Sequence, residues 1–308
     1  MEQLAPARAD GRVFDEVAAE YDRNRPAYPD ELVDRACQIA GIGRGDPVLE
    51  VGCGTGQLTR SLLARGPRVT TLEPGRRLMT LAEQNLAGRG ELQFVNARFE
   101  DAELPLGHYR AVFSASAFHW IDPDVSWHKA ARLLVPGGTL ALIQYCGLQD
   151  RRFPDDRGAL RSALTRIAPE LAAGWPVYRD LAAIAAGVDR RRANVSEAWA
   201  WIWSYDLARA EAGRLFGNVQ LATLPIVVEH TAEELAGLLR TMSFYAKLSP
   251  DQRQALENEH LVIYERLGRP IRSTIAAVLI TARRRDAGEA WTAASQVAMS
   301  ATTVASTC

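Results

Sequence analysis

Between Glu50 and Gly56 the chain reads Glu-Val-Gly-Cys-Gly-Thr-Gly, an acid followed by three glycines at alternate positions. The apolar run Pro47 to Val51 reads as a buried parallel strand, and Gln57 to Ala64 carries a helical apolar pattern. Gly52, Gly54 and Gly56 therefore make a strand-to-helix turn, where glycine permits positive φ and lets a ligand press against bare backbone. The free N–H groups opening the next helix suit a carboxylate or a hydroxyl-rich group. Together these features predict a nucleotide-type pocket at the carboxyl edge of an α/β sheet. A second acid, Glu73, ends the β-branched run from Arg68, about twenty residues beyond Gly52, where such folds hold ribose hydroxyls. A third group, His119, has the ordinary pKa nearest neutrality. It is the natural general-base candidate, or else a histidine that bonds backbone and shapes the pocket.

A dinucleotide fold would carry G-x-G-x-x-G, whereas the spacing here is G-x-G-x-G. Glu50 beside the loop is awkward for a pyrophosphate and natural for a cation. The run Leu49 to Gly56 resembles the E/D-x-G-x-G-x-G motif of class I S-adenosylmethionine (SAM)-dependent methyltransferases. SAM carries an ammonium and a sulfonium beside its carboxylate, which matches an acid set among glycine N–H groups. By the same resemblance, Tyr21-Asp22-Arg23-Asn24-Arg25-Pro26-Ala27-Tyr28-Pro29 is the Y-x-x-x-R-P-x-Y-P segment that closes over the cofactor. It implies Tyr21 and Arg25 near the SAM carboxylate and Tyr28 facing the methyl group. Glu73 and Pro74 would border the ribose, Met79 would lie beside the adenine, and Phe99-Glu100 is similar to the family's adenine segment. The end of the fourth strand, at Ser116, would sit beneath the transferable methyl. The following Phe118-His119-Trp120-Ile121-Asp122 resembles a small-molecule branch that includes trans-aconitate methyltransferase-like proteins.

The elements that must position these residues follow from the patterning. Five strand signals (to Val51, Leu72, Val95, Ala115 and Gln144) alternate with helices, as in a doubly wound parallel sheet. The Pro136-Gly137-Gly138 turn stops a helix over 124–134, and Asp30 reads as the cap of a helix reaching Ala40. Strands over 221–230 and 271–283, with helices over 232–241 and 250–267 between them, would complete a seven-stranded sheet as is usual in the family. The domain reading is N-terminal helices over 1–40, a Rossmann-like core over 41–145, a helical cap over 146–219, sheet completion over 220–285, and a frayed tail over 286–308. The cap concentrates aromatics, with Trp199 and Trp203 on one helical face; that stripe is either core or an aromatic acceptor lid. Trp120, Tyr145, Trp175, Trp199, Trp203 and Phe244 are the candidate acceptor-binding residues.

Composition bounds the partners. With 308 residues, 47% apolar content and a net charge of −1, the chain has ample core and no basic surplus for nucleic acid. No apolar run approaches a membrane span, the start carries no signal-peptide pattern, and Cys37, Cys53, Cys146 and Cys308 match no metal or disulfide spacing. The expectation is a cytoplasmic monomer or homodimer that binds neither nucleic acid, membrane nor metal. The function implied by the resemblance is methyl transfer from SAM to an aromatic or carboxylic small molecule of secondary metabolism. O-methylation is favoured over N- or C-methylation of a ring such as indole. A SAM-binding enzyme that cyclises or rearranges without methylating, and a non-catalytic SAM-binding module, share every cofactor motif.

Overall fold

The computed structural model describes residues 12–149, 156–172 and 178–286. Seven strands form one sheet: β1 (Pro47–Val51), β2 (Arg68–Leu72), β3 (Leu92–Val95), β4 (Tyr109–Ala115), β5 (Leu134–Gly147), β6 (Phe216–His230) and β7 (Ile271–Arg284). Their order is β3-β2-β1-β4-β5-β7-β6, parallel from β3 to β5, with β7 antiparallel to both β5 and β6. Strand order reverses between β1 and β4, which opens a crevice at their carboxyl ends where an α/β sheet binds ligands. This is the Rossmann-like class I methyltransferase arrangement expected from the sequence.

The strands are apolar on both faces because helices cover both. On one face the helices Asp30–Ala40, Gln57–Leu63 and Arg76–Leu86 pack Leu32, Val33, Leu58, Leu62, Ala82 and Leu86 against Val48, Ala111, Phe113 and Leu279. On the other, helix Pro123–Leu133 and the helices Leu181–Asp189, Val195–Trp203 and Ala212–Leu215 share a core with Leu49, Val51, Val112, Leu140 and Val278. Trp127 and Trp199 are fully enclosed there.

That second layer corrects the expected cap. Much of 181–215 is a layer lying on the sheet's face rather than a lid above its edge. A separate apolar cluster crowns the carboxyl edge, formed by Arg157–Ile167, Pro169–Ala172, Ala232–Arg240 and Pro250–Leu267 around Leu164, Tyr245, Leu256 and Ile263. The lid-like unit thus joins chain on both sides of the sheet-face layer, which no single sequence window could show.

Local signals explain the boundaries. Helix Pro250–Leu267 opens on a capping box, Ser249 with Gln252, and stops at Gly268 in the left-handed conformation. Asp30 does not cap its helix: Pro29 is the N-cap, and the Asp30 carboxylate instead receives a bond from Arg65 at 3.1 Å. Among the N-terminal helices, Val17 separates Arg12–Glu16 from Ala18–Asn24. Trp175 and the tail past Asp286 lie outside the described residues, as do residues 1–11.

Candidate active site

A cavity of about 400 Å³ lies in the crevice at the carboxyl ends of β1, β2 and β4. Its floor is the glycine loop. Gly52 holds φ +76°, and a Cβ there would collide with the Cβ of Ala117. Gly54 holds φ +58° and lies under the Tyr21 ring, whose Cε1 would stand 3.2 Å from an added Cβ. Both positions need glycine for conformation and for clearance. Gly56, also at positive φ, faces Leu86 rather than the cavity, so it lets the start of helix Gln57–Leu63 pack closely on helix Arg76–Leu86.

Glu73 ends β2 at the cavity wall. Its two carboxylate oxygens accept the N–H groups of Gly54 and Gly75, each at 2.9 Å. Burial nevertheless raises its pKa to about 7, outweighing those two bonds, and the nearby Asp15 adds to the rise. Asp15 lines the same wall and accepts the N–H groups of Arg77 and Leu78 at 2.6 and 3.0 Å, completing the start of helix Arg76–Leu86 from a distant segment. Leu72, Leu78, Ala97, Phe99 and Ile121 make an apolar slot beyond Glu73, with Glu100 and Asp122 at its rim. The Glu100 carboxylate accepts the Asp122 N–H at 3.1 Å.

The strap over the opening comes from Tyr21 to Tyr28. Arg25 borders the cavity, stacks its guanidinium 5.0 Å from the Tyr21 ring centroid, and donates to the Thr241 hydroxyl at 2.9 Å and to the Thr241 carbonyl. That clasp ties the strap to the carboxyl-edge cluster. At the β4 end, Ser116 adopts φ +53° and its hydroxyl accepts from Tyr28 at 3.0 Å. The Tyr28 ring lies parallel to that of Tyr145 at 5.4 Å, and the Tyr145 hydroxyl donates to the Ala27 carbonyl at 2.6 Å. Burial pushes both phenols up, Tyr145 to about 12.

The cavity therefore brings together Tyr21, Arg25, Gly52, Gly54, Glu73, Pro74, Phe99, Glu100, Ser116 and Trp120 of the expected residues. Others lie elsewhere. Glu50 is enclosed behind the loop, because successive strand residues face opposite sides and Val51 takes the cavity side. Its pKa is raised to about 7 by burial. Met79 is buried off the wall while its neighbour Leu78 borders it, one residue being about 100° of helical rotation. His119, on the turn Phe118–Trp120, does not border the cavity. It is 6% exposed, stacked on Trp203, and burial followed by the Arg25 charge lowers its pKa to about 3. Tyr28 and Tyr145 stand outside the cavity wall, Trp199 is core, and Phe244 packs in the carboxyl-edge cluster.

Phe14, Asp15, Arg98, Ile121 and Asp122 are cavity residues that the sequence reading did not select. Only Asp122 carried a local signal, since Asp before Pro123 is a helix start, and its side chain does accept the Asp124 N–H. Trp120 meets the Phe14 ring edge-on at 5.4 Å, so the wall joins chain segments a hundred residues apart.

These features define the class: an α/β enzyme fold with a cofactor site at its topological switch point. A glycine floor, a carboxylate for vicinal hydroxyls, an apolar slot for a flat base and an arginine at the strap together fit an adenosyl amino acid. The comparisons sharpen this to a family. Residues 49–142 match the model described as a methyltransferase domain. The chain is 32% identical over 186 residues to the demethylmenaquinone methyltransferase of Tropheryma whipplei, covering 55% of this chain and 73% of that one. It is 34% identical over 132 residues to an uncharacterized methyltransferase of Mycobacterium tuberculosis, covering 42% of this chain and 51% of that one. The chain thus spans about half the length of the mycobacterial relatives it matches. A solved structure from Anaeromyxobacter dehalogenans shares the fold at TM-score 0.53 and 20% identity, over 84% of this chain and 97% of that one. The chain belongs to the class I SAM-dependent methyltransferase family, and its cofactor is SAM. Among the described residues no cluster of His, Cys, Asp or Glu is arranged to hold a metal, and no helix is long and apolar enough to cross a membrane.

Proposed function

We propose that the chain moves the methyl group of SAM to a small-molecule acceptor that arrives already ionised, with an aromatic carboxylate as the favoured case and an O-methyl ester as product. Bound SAM supplies an activated sulfonium methyl. The residues hold it through the glycine floor, Glu73 and Arg25, and the strap keeps water from the reacting centre.

The observation that carries the choice of acceptor is that neither expected base, His119 nor Tyr28, is poised to take up a proton at neutral pH. His119 has a pKa of about 3, so it is neutral but a poor proton acceptor at neutral pH. Tyr28 has its pKa raised by burial, so it stays protonated and does not act as a base at neutral pH. A carboxylate needs no deprotonation. The Tropheryma whipplei relative, named for a demethylmenaquinone acceptor, supports a small molecule over a macromolecule. The net charge of −1 agrees with that.

The test is calorimetry of SAM binding, followed by mass spectrometry of a panel of aromatic carboxylic acids, phenols and indoles incubated with enzyme and SAM. One methylene gained per S-adenosylhomocysteine formed, with carboxylates turned over at saturating SAM at a rate flat from about pH 6 to 9, is the expected result. Turnover of phenols alone would refute the ionised-acceptor reading. SAM bound with rearranged product and no mass gain would favour a non-methylating enzyme.

A further inference from the structure

We propose that the aromatic cluster of His119, Trp199, Trp203 and Tyr205 is the closed form of the acceptor pocket. Its chemistry selects a flat aromatic molecule bearing an anionic oxygen. This rests on the methyltransferase reading above and specifies where its acceptor binds.

The cluster is compact. The His119 and Trp203 rings stand 3.6 Å apart at 32°, Trp203 and Tyr205 are nearly parallel at 5.6 Å, and Trp199 meets Trp203 edge-on at 6.0 Å. Trp120, whose ring lies 5.0 Å from His119, is itself part of the cofactor-cavity wall. The cluster therefore abuts the cofactor site across one side chain.

Its polar atoms are what point to a ligand. Trp199 Nε1, Trp203 Nε1 and His119 Nδ1 are enclosed and have no hydrogen-bond partner among the described residues. Buried polar groups are ordinarily paired, so three orphans in one cluster need an explanation. An indole N–H can only donate, and a neutral imidazole can present its one N–H at either nitrogen. The charge acting on His119 is the cation of Arg25. Two fixed donors, a tautomerisable third and a positive field suit an oxygen anion, and the stacked ring faces suit a flat ring. Trp203 is the last residue of helix Val195–Trp203, and Ser204 behind it takes φ +58°, so the ring that must move aside sits at a helix end.

The experiment uses the full chain labelled with ¹⁵N-tryptophan, saturated with S-adenosylhomocysteine, with indole signals assigned by W199F and W203F. The probes are benzoate, salicylate and indole-3-acetate, with cyclohexanecarboxylate and benzamide as non-aromatic and uncharged controls. At least one aromatic carboxylate is expected to move the Trp199 and Trp203 indole N–H signals downfield, and the controls are not. W203F, which keeps an aromatic ring and deletes the donor, should weaken that probe by about tenfold or more, as for a lost bond to a charged group. Its affinity for S-adenosylhomocysteine should stay within about twofold, which also certifies the fold. Indole signals unmoved by every aromatic carboxylate, equal shifts with the controls, or unchanged probe affinity in W203F would each overturn this inference. In those cases S-adenosylhomocysteine binding still stands. Failure of the chain to bind S-adenosylhomocysteine would instead remove the methyltransferase reading itself.

Discussion

Glu73→Ala should weaken SAM binding by about a hundredfold. Each Glu73 oxygen already accepts one backbone N–H, from Gly54 and from Gly75. A carboxylate oxygen has a second lone pair, so both can also accept a ribose hydroxyl. Bonds to a charged group contribute about 1.5–3 kcal/mol each, and two at the lower end sum to about 3 kcal/mol, or about two decades in affinity. The lower end applies because the carboxylate must first ionise from a pKa of about 7. That shift fixes the pH dependence as well. Below about pH 7 the cofactor-free site holds a proton that hydroxyl donors must displace, so affinity should rise as pH climbs from about 5.5 to 7.5 and then level off. Glu73→Gln removes that rise and sets an amide NH₂ against one of the two glycine N–H donors, so its affinity should fall at least about tenfold. The assay is calorimetry with S-adenosylhomocysteine across that pH range, in two buffers of different ionisation enthalpy to count the proton released. A loss under about threefold for Glu73→Ala, or no proton release at pH 6.5, would refute the reasoning.

Three further outcomes follow from the same geometry. Gly52→Ala should abolish measurable SAM binding, because φ is +76° and the new Cβ meets Ala117; Gly107→Ala, also at positive φ but with open space around it, should cost about 1 kcal/mol of stability and leave binding alone, as thermal melts and calorimetry would register. Thr241→Val removes one of the two bonds that clasp Arg25, so SAM affinity should drop by about threefold to tenfold and limited proteolysis near Tyr21 to Tyr28 should quicken; equal cleavage rates would exclude the clasp. Glu50 is an acid whose folded pKa of about 7 exceeds its ordinary value of 4.5, so its stability contribution is full below about pH 4.5 and lost as pH rises through 7, by up to about 3 kcal/mol. Glu50→Gln should therefore flatten the fall in denaturant stability between about pH 5 and 8, and an unchanged slope would count against a protonated Glu50.

How much of this was legible in the sequence depends on how local each feature is. The glycine loop, Glu73 and the apolar slot at Phe99 lie at or just beyond strand ends, and a strand end is fixed by a few consecutive residues. Helix Pro250–Leu267 emerged with its expected bounds because Pro at its start and Gly after its end are local stops. Glu50 was misplaced because composition near a loop says nothing of which sheet face a residue takes; counting strand parity against Val51 would have turned it inward. Met79 failed similarly, by one step of helical rotation.

The contacts between distant segments are different in kind, and their illegibility is itself informative. Phe14 meets Trp120, Asp15 completes the helix after Glu73, Arg25 is held by Thr241, and His119 stacks on Trp203. Each pair joins segments 60 to 220 residues apart, so no window of sequence contains either its geometry or its register. The aromatic stripe near 199–203 read more as core than as a ligand cage, and Trp199 does fill the sheet-face core, while among the described residues its N–H and that of Trp203 have no partner. A purely structural tryptophan in a core could be Phe or Leu without leaving a buried donor unsatisfied. Two indoles in that state beside a histidine held neutral are a standing cost to the fold, and a ligand that accepts those bonds recovers it on binding. The glycine loop and Glu73 are thus written in consecutive residues. The strap, its clasp and the aromatic cluster are written in long-range pairs, which a sequence read window by window cannot assemble.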